Sequence, residues 1–433
     1  MMDTGSIRRY VAVAALVLAA ALQPGAARTH DRSQWSTVWA TAMMQSPLPP
    51  SAIRPATLTT PTLNGQTLRQ MALLSAGGSR IRVRLSNTFG RQPLRIDAAS
   101  VGRTVADGAA GQLDPASLHA LRFDGRADVV VPPGAVRYSD PLDLAVQGGD
   151  TLGISLYVAG TAMPSTWHQD AVHDNLISTP GNYTAKAAMP VAAKTGDTLW
   201  LSGVDVQADT PLPVLVTLGD SITNGYRSTP GTASGYPEQL ARRLREQRPA
   251  CRAGVVNKQK TAYEMSGRND GYGPGEDMAT RFGRDVLGQS GVRYVLLLGG
   301  VNDIGETTSA LRPQGRTLDD RTVAANVIAA QKEVIAKAHA ARLRVYGATI
   351  LPFEGTQNAY SEAGERARRQ VNDWIRHHAG FDGVVDFDAV VRDPAHPARI
   401  RADFDSDDHI HPNDKGYAAM AAAVPLSWFG CRQ

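Results

Sequence analysis

The chain changes its hydrophobic rhythm once, near residues 206–213, "VQADTPLP". Before that point, short segments alternate apolar and polar positions with period two. "RIRVRLSN" (80–87) sets Ile81, Val83 and Leu85 on one face, and "DTLGISLYVAG" (150–160) follows in the same style. Gly, Pro, Asp and Asn separate these segments, and no long helical pattern interrupts residues 35–205. Such alternation, broken by turn formers, predicts antiparallel strands. We read 35–205 as an all-β domain, sandwich or jelly-roll-like.

After residue 212, apolar strands alternate with amphipathic helices. "VLVTL" (214–218) precedes "YPEQLARRLREQ" (236–247), and "AGVVN" (253–257) precedes "EDMATRFGRDVLGQ" (276–289). "VRYVLLLGG" (292–300) precedes "DDRTVAANVIAAQKEVIAKAHA" (319–340), where Val323, Val327, Ala330, Val334 and Ala338 form one stripe at helical spacing. "LRVYGATIL", a helix around 360–378, "GVVDF" and a helix after 413 complete the series. Five strands alternating with helices predict a parallel sheet covered on both faces, over 212–433. Such sheets carry their sites at the carboxyl ends of the strands.

Composition alters this picture only at the margins. The net charge of +4 over 433 residues gives no reason to invoke nucleic acid. At the N-terminus, Arg8 and Arg9 precede an apolar run from Tyr10 to Leu22, followed by small residues. That run is shorter than the roughly 20 residues a spanning helix needs. Residues 1–27 therefore read as a signal peptide, with a membrane anchor as the rival. The mature chain is expected to be secreted or periplasmic, without a membrane span. Two cysteines, Cys251 and Cys431, permit one disulfide in an exported protein or stand as two buried thiols.

Three strand ends carry chemistry. In "VLVTLGDSITNG" (214–225), a core strand runs into Gly219, Asp220 and Ser221. These residues suit a turn, or they present Ser221 as a nucleophile, which needs a base, a group orienting that base and donors for an oxyanion. "DSDDHIHPNDKGY" (405–417) places Asp408 three residues before His411 in a loop entering a helix. The carboxylate can take the imidazole Nδ1–H and leave the other nitrogen as base. Asp407, Asp408, His409 and His411 are also a possible metal-ligand set, and the loop is also readable as a helix entry capped by Asn413. In "YVLLLGGVNDIG" (294–305), Asn302 can donate to a developing oxyanion or serve as a turn residue. The backbone N–H of Ser221 is a further candidate donor.

"GDSIT", "GGVND" and "DxxHPND", in that order and position, resemble the SGNH hydrolases, or GDSL-type esterases. The resemblance covers 213–429, and the preceding half is similar to the extension of one secreted bacterial branch, through "SNTFGRQPLRI" and "WLSGVDVQA". It implies a flavodoxin-like α/β/α domain and ester hydrolysis through an acyl-enzyme, with no metal or organic cofactor. By the same resemblance Ser221 is the nucleophile, His411 the base, Asp408 its partner and Asn302 an oxyanion donor. The flavodoxin-like layout also sets Cys251 and Cys431 at one edge, implying a disulfide between them. The implied partner is a small-molecule or polysaccharide ester; oligomeric state is not legible.

One block departs from the family pattern. Where a glycine loop is expected to donate an N–H to the oxyanion, the chain reads "GVVNKQKTAYEMSGRNDGYG" (254–273). Ungapped counting from Asn257 puts Ala262 at the glycine position, with Tyr263 beside it; a gapped reading uses Ser266 and Gly267. Alanine keeps its N–H, but a required positive φ would cost it roughly 1–2 kcal/mol. This block motivates the alternative of a catalytically impaired binding protein for a carbohydrate or cell-envelope ligand.

Overall fold

The computed structural model describes residues 34–46, 60–105, 108–247, 253–259, 264–266 and 276–431. The segment read as a signal peptide lies outside them. The N-terminal half is all-β, with every strand pair antiparallel. A four-stranded sheet runs in the order 35–40, 201–207, 80–86, 136–138; a six-stranded one runs 191–195, 175–180, 63–73, 151–162, 98–103, 119–120. Ile81, Val83 and Leu85 are all buried, as the alternation predicts, and share a core with Leu152, Ile154 and Leu156.

The C-terminal half carries a five-stranded parallel sheet in the order 254–259, 214–219, 292–297, 344–348, 383–385. Numbered along the chain this is 2-1-3-4-5, the flavodoxin-like order. Every residue of Val214–Gly219 is buried, as a central parallel strand requires. The helices are α1 (Ser221–Asn224), α2 (Tyr236–Glu246), α3 (Val301–Leu311), α4 (Asp320–Ala340), α5 (Glu362–His377), α6 (Phe387–Val391) and α7 (Asp414–Ala423).

Strand side chains alternate between two cores. Leu215, Val255, Leu296 and Tyr346 pack with Leu240 and Leu244 of α2 and Met420 of α7. Val216, Leu218, Val256, Val295 and Val345 face the other way, onto Val334 and Ala338 of α4 and Phe282 and Val286. The predicted α4 stripe is buried throughout. Asp319, Ser361 and Asn413 cap α4, α5 and α7 by accepting from first-turn N–H groups.

The expectation of a regular helix over 276–289 needs correction. Turns lead only into a short π-helical segment, Gly283–Leu287. Within 276–289, Arg281 is fully buried, and its guanidinium donates to the carbonyls of Lys258 and Gly219 and pairs with Asp285 at 2.9 Å. The buried cation lies alongside the apolar residues Met278, Ala279, Phe282 and Val286, which face the core.

The two halves are joined along the edge of the parallel sheet. The N–H of Val255 donates to Ser75 Oγ at 2.9 Å, and that of Thr37 donates to the Ser290 carbonyl at 2.9 Å. The buried pair Arg82–Asp205 shares Ser290, and Arg84 reaches Gln289. The outward N–H of Val255 on the edge strand 254–259 is thereby satisfied by the β half instead of by solvent.

Candidate active site

Ser221 stands where the interior strand Val214–Gly219 ends and α1 begins. Asp220 caps that turn, accepting from the N–H of Ile222 at 3.1 Å, and Gly225 closes it in a left-handed conformation (φ 81°). The turn is tight: a Cβ on Gly219 would lie 2.0 Å from Thr223 Oγ1. Ser221 is therefore held at the carboxyl end of the sheet, 6% exposed.

The loop before α7 meets it there. His411 Nε2 lies 2.8 Å from Ser221 Oγ, and His411 Nδ1 lies 2.8 Å from Asp408 Oδ2. Asp408 Oδ1 accepts from the N–H groups of Ile410 and His411. Burial alone would raise the Asp408 carboxyl. The hydrogen bond from His411, its charge and the two N–H donors outweigh that and hold it well below the usual carboxylate range. A carboxylate can only accept, so Nδ1 carries the proton and Nε2 faces Ser221 as an acceptor. The Tyr226 ring meets the His411 ring edge-on at 4.9 Å.

Asn302 is the second residue of α3, buried at the carboxyl end of the strand neighbouring that of Ser221. Two glycines bring it there. Gly300 has φ 124°, and a Cβ on Gly299 would lie 2.7 Å from Met265 Sδ. The next residue, Asp303, organises the altered block. Its carboxylate accepts from the N–H of Met265 and from the N–H and Oγ of Ser266. The Ser266 N–H is thus engaged by Asp303. Ala262, Tyr263 and Gly267 lie outside the described residues.

The four side chains considered as a metal set do not converge. His409 Nδ1 pairs with Asp405 at 2.6 Å, while His411 pairs with Asp408. Among the described residues no group of three or more His, Cys, Asp or Glu is arranged to hold a metal ion. Cys431 is buried at the end of the chain, and Cys251 lies outside the described residues.

Sequence reasoning missed three neighbours of this site: Asp303, Arg227 and Gln259. Asp303 had a signal, the acid after Asn302 in "GVND". Arg227 donates to Asp408 Oδ2 at 3.1 Å from a left-handed backbone (φ 69°), which no local pattern announces. Asp220 and Asp303 are both fully buried, and burial raises each; Asp220 is pushed up to about 7, with the Asp303 charge contributing.

Residues 217–419 match the GDSL-like lipase/acylhydrolase family. Among solved structures, the chain is similar to the acetylxylan esterase Axe2 from Geobacillus stearothermophilus, with 20% identity, TM-score 0.37 and coverage of 51% of this chain and 95% of that one. It is also similar to LAE5, an α/β hydrolase from the Lake Arreo metagenome, with 23% identity, TM-score 0.36 and coverage of 51% and 95%. The lipase Lip_vut3 from a goat rumen metagenome gives 16% identity, TM-score 0.37 and coverage of 51% and 99%. No curated protein matches the chain.

Proposed function

We propose, from the premise that residues 217–419 belong to the GDSL-like lipase/acylhydrolase family, that this hydrolase cleaves carboxylic esters with Ser221 as nucleophile. The observation that carries the reading is the continuous chain Ser221 Oγ–His411 Nε2–His411 Nδ1–Asp408 Oδ2, 2.8 Å at both contacts.

In this mechanism His411 removes the Ser221 proton as Oγ attacks the ester carbonyl. Asp408 holds the ring in the required tautomer and stabilises the imidazolium. The Asn302 amide and the Ser221 N–H are the assigned donors to the oxyanion, a role worth about 100- to 1,000-fold in rate per donor. His411 then protonates the leaving alcohol, and deacylation repeats the sequence with water as nucleophile. The substrate is a small-molecule or polysaccharide ester, with acetyl, aryl and long-chain acyl esters distinguished by an activity panel on wild type and Ser221→Ala.

Hydrolysis of p-nitrophenyl acetate, compared between wild type and Ser221→Ala, tests the reading. Loss of turnover together with loss of fluorophosphonate labelling is expected. Equal turnover in the two proteins rejects it.

Export is part of the same proposal. It is supported by Arg8, Arg9 and the short apolar run to Leu22. No helix of the described residues is long and apolar enough to cross a membrane. The mass of protein recovered from culture medium or periplasm, expected to lack residues 1–27, checks this. A Cys251–Cys431 disulfide belongs to the exported form; thiol titration of unreduced, denatured protein is expected to find none.

A further inference from the structure

The β half reaches the nucleophile turn through a buried chain of side-chain hydrogen bonds. His168 ends the strand Thr166–His168 of that half, and Gln259 ends the strand Gly254–Gln259 of the parallel sheet. His168 Nδ1 lies 2.9 Å from the Ala42 carbonyl, and its Nε2 lies 2.7 Å from Gln259 Nε2. Gln259 Nε2 also donates to Asn224 Oδ1 at 2.5 Å, and Asn224 Nδ2 donates to the Asp170 carbonyl at 2.7 Å. His168, Gln259 and Asn224 are 2%, 1% and 7% exposed.

One arrangement of protons fits these contacts, and it leaves Gln259 Oε1 buried without a hydrogen-bond partner among the described residues. Two backbone carbonyls end the chain, and each can only accept. The Ala42 carbonyl fixes the proton of His168 on Nδ1, so His168 Nε2 must accept. The Asp170 carbonyl fixes the Asn224 amide, so Asn224 Oδ1 must accept. Gln259 then spends both hydrogens of one NH₂ group, one on each. Turning any of the three groups sets donor against donor or acceptor against acceptor in a buried site, where an unmet polar group is costly.

Asn224 sits three residues after Ser221 in α1, on the same side of that single turn. The loop behind it is held in unusual backbone. Asp170 (φ 54°) and Val172 (φ 58°) are left-handed, and the Val172 carbonyl accepts from the N–H of Gly231 at 2.8 Å. For a β-branched residue that conformation is strained and persists only when its surroundings impose it.

We infer that the β half is a working part of the active site: His168 and the Asp170 carbonyl, acting through Gln259 and Asn224, fix the orientation of the Ser221 turn. These four are positioning residues, because none meets the reacting atoms. The inference rests on Ser221 being the nucleophile. A turn displaced by a fraction of an ångström leaves Ser221 present but poorly aligned, which lowers kcat more than it weakens substrate binding.

The test is a double-mutant cycle in the full chain with His168→Asn, Asn224→Ala and the pair. It is read as kcat per active site titrated by a fluorophosphonate, with Tm measured alongside. Each single change is expected to lower kcat about ten- to a hundred-fold with KM within about three-fold. Because one relay is broken in either case, the pair is expected to cost no more than the worse single. If His168→Asn does not yield folded protein, Gln259→Met takes its place in the cycle. Unchanged kcat in a folded single variant, a loss confined to KM, or losses that multiply would each overturn the relay. Turnover surviving in Ser221→Ala would instead reject the nucleophile, whatever the relay variants do.

Discussion

Arg227 Nε lies 3.1 Å from Asp408 Oδ2, the same oxygen that takes the His411 Nδ1 proton at 2.8 Å. Arg227 and His411 thus share one orienting oxygen. The arginine side chain is 52% exposed, so its contribution is screened by solvent. Arg227→Met is expected to lower kcat by no more than about three-fold, with Arg227→Lys close to wild type. A loss above about ten-fold in folded Arg227→Met would show that His411 alone does not hold Asp408 in place.

Replacing Asp408 by Asn is a sharper perturbation. The amide keeps the shape but presents a carboxamide where the acceptor Oδ2 stood. If its NH₂ faces His411, the imidazole is driven to the opposite tautomer and its Nε2 points a proton at Ser221. A kcat loss on the order of 10³–10⁴-fold is expected, with KM little changed. A loss below about ten-fold in folded protein shows that Asp408 does not orient the base.

Much of the site was legible because its parts follow strand ends. Ser221, Asn302 and the Asp408–His411 pair each lie where an apolar run breaks into turn residues, and a parallel sheet gathers such breaks at one rim. The alternating run Ile81–Leu85 and the α4 stripe were legible because burial on one face imposes a period. In the segment 276–289 the apolar positions are buried as their pattern predicts, but the π-helical turn and the buried Arg281, tied to carbonyls distant in sequence, have no counterpart in that pattern. Arg227, His168 and Gln259 were invisible for a related reason. Their roles depend on partners 35 to 181 positions away, and no local period encodes such pairings.

Asp220 gives a pH-dependent stability. Burial, with a contribution from Asp303, pushes its pKa up to about 7, against about 4 for an unfolded aspartate. Between those values the folded chain holds a proton that the unfolded chain has lost. This group's contribution to stability therefore falls as pH rises from about 4 to about 7, then stays level. Asp220→Asn keeps a side-chain oxygen to cap Ile222 and removes the ionisation. The variant is expected to melt a few degrees above wild type at pH 8, with a smaller difference at pH 5. Thermal unfolding at both pH values checks it; an equal difference at the two would be inconsistent with a titrating Asp220.

Lys258 extends the same logic to the seam between the halves. The residue is 2% exposed, and its Nζ donates to the Thr41 carbonyl at 2.6 Å. Burial first, then the positive charges of Arg84, Arg284 and Arg281, push it well below the usual lysine range, against the pull of Asp285. The unfolded chain thus binds a proton that the folded chain holds weakly, so this group's contribution to stability rises with pH until the unfolded lysine titrates near 10. Lys258→Met loses one hydrogen bond, on the order of 1 kcal/mol, and also removes the cost of stripping a cation of water, which is larger. We expect the variant to be more stable than wild type at pH 7 and the gap to narrow toward pH 9.5. Urea unfolding at the two pH values measures this directly. A constant gap would mean that Lys258 holds the seam by its contact with Thr41 alone.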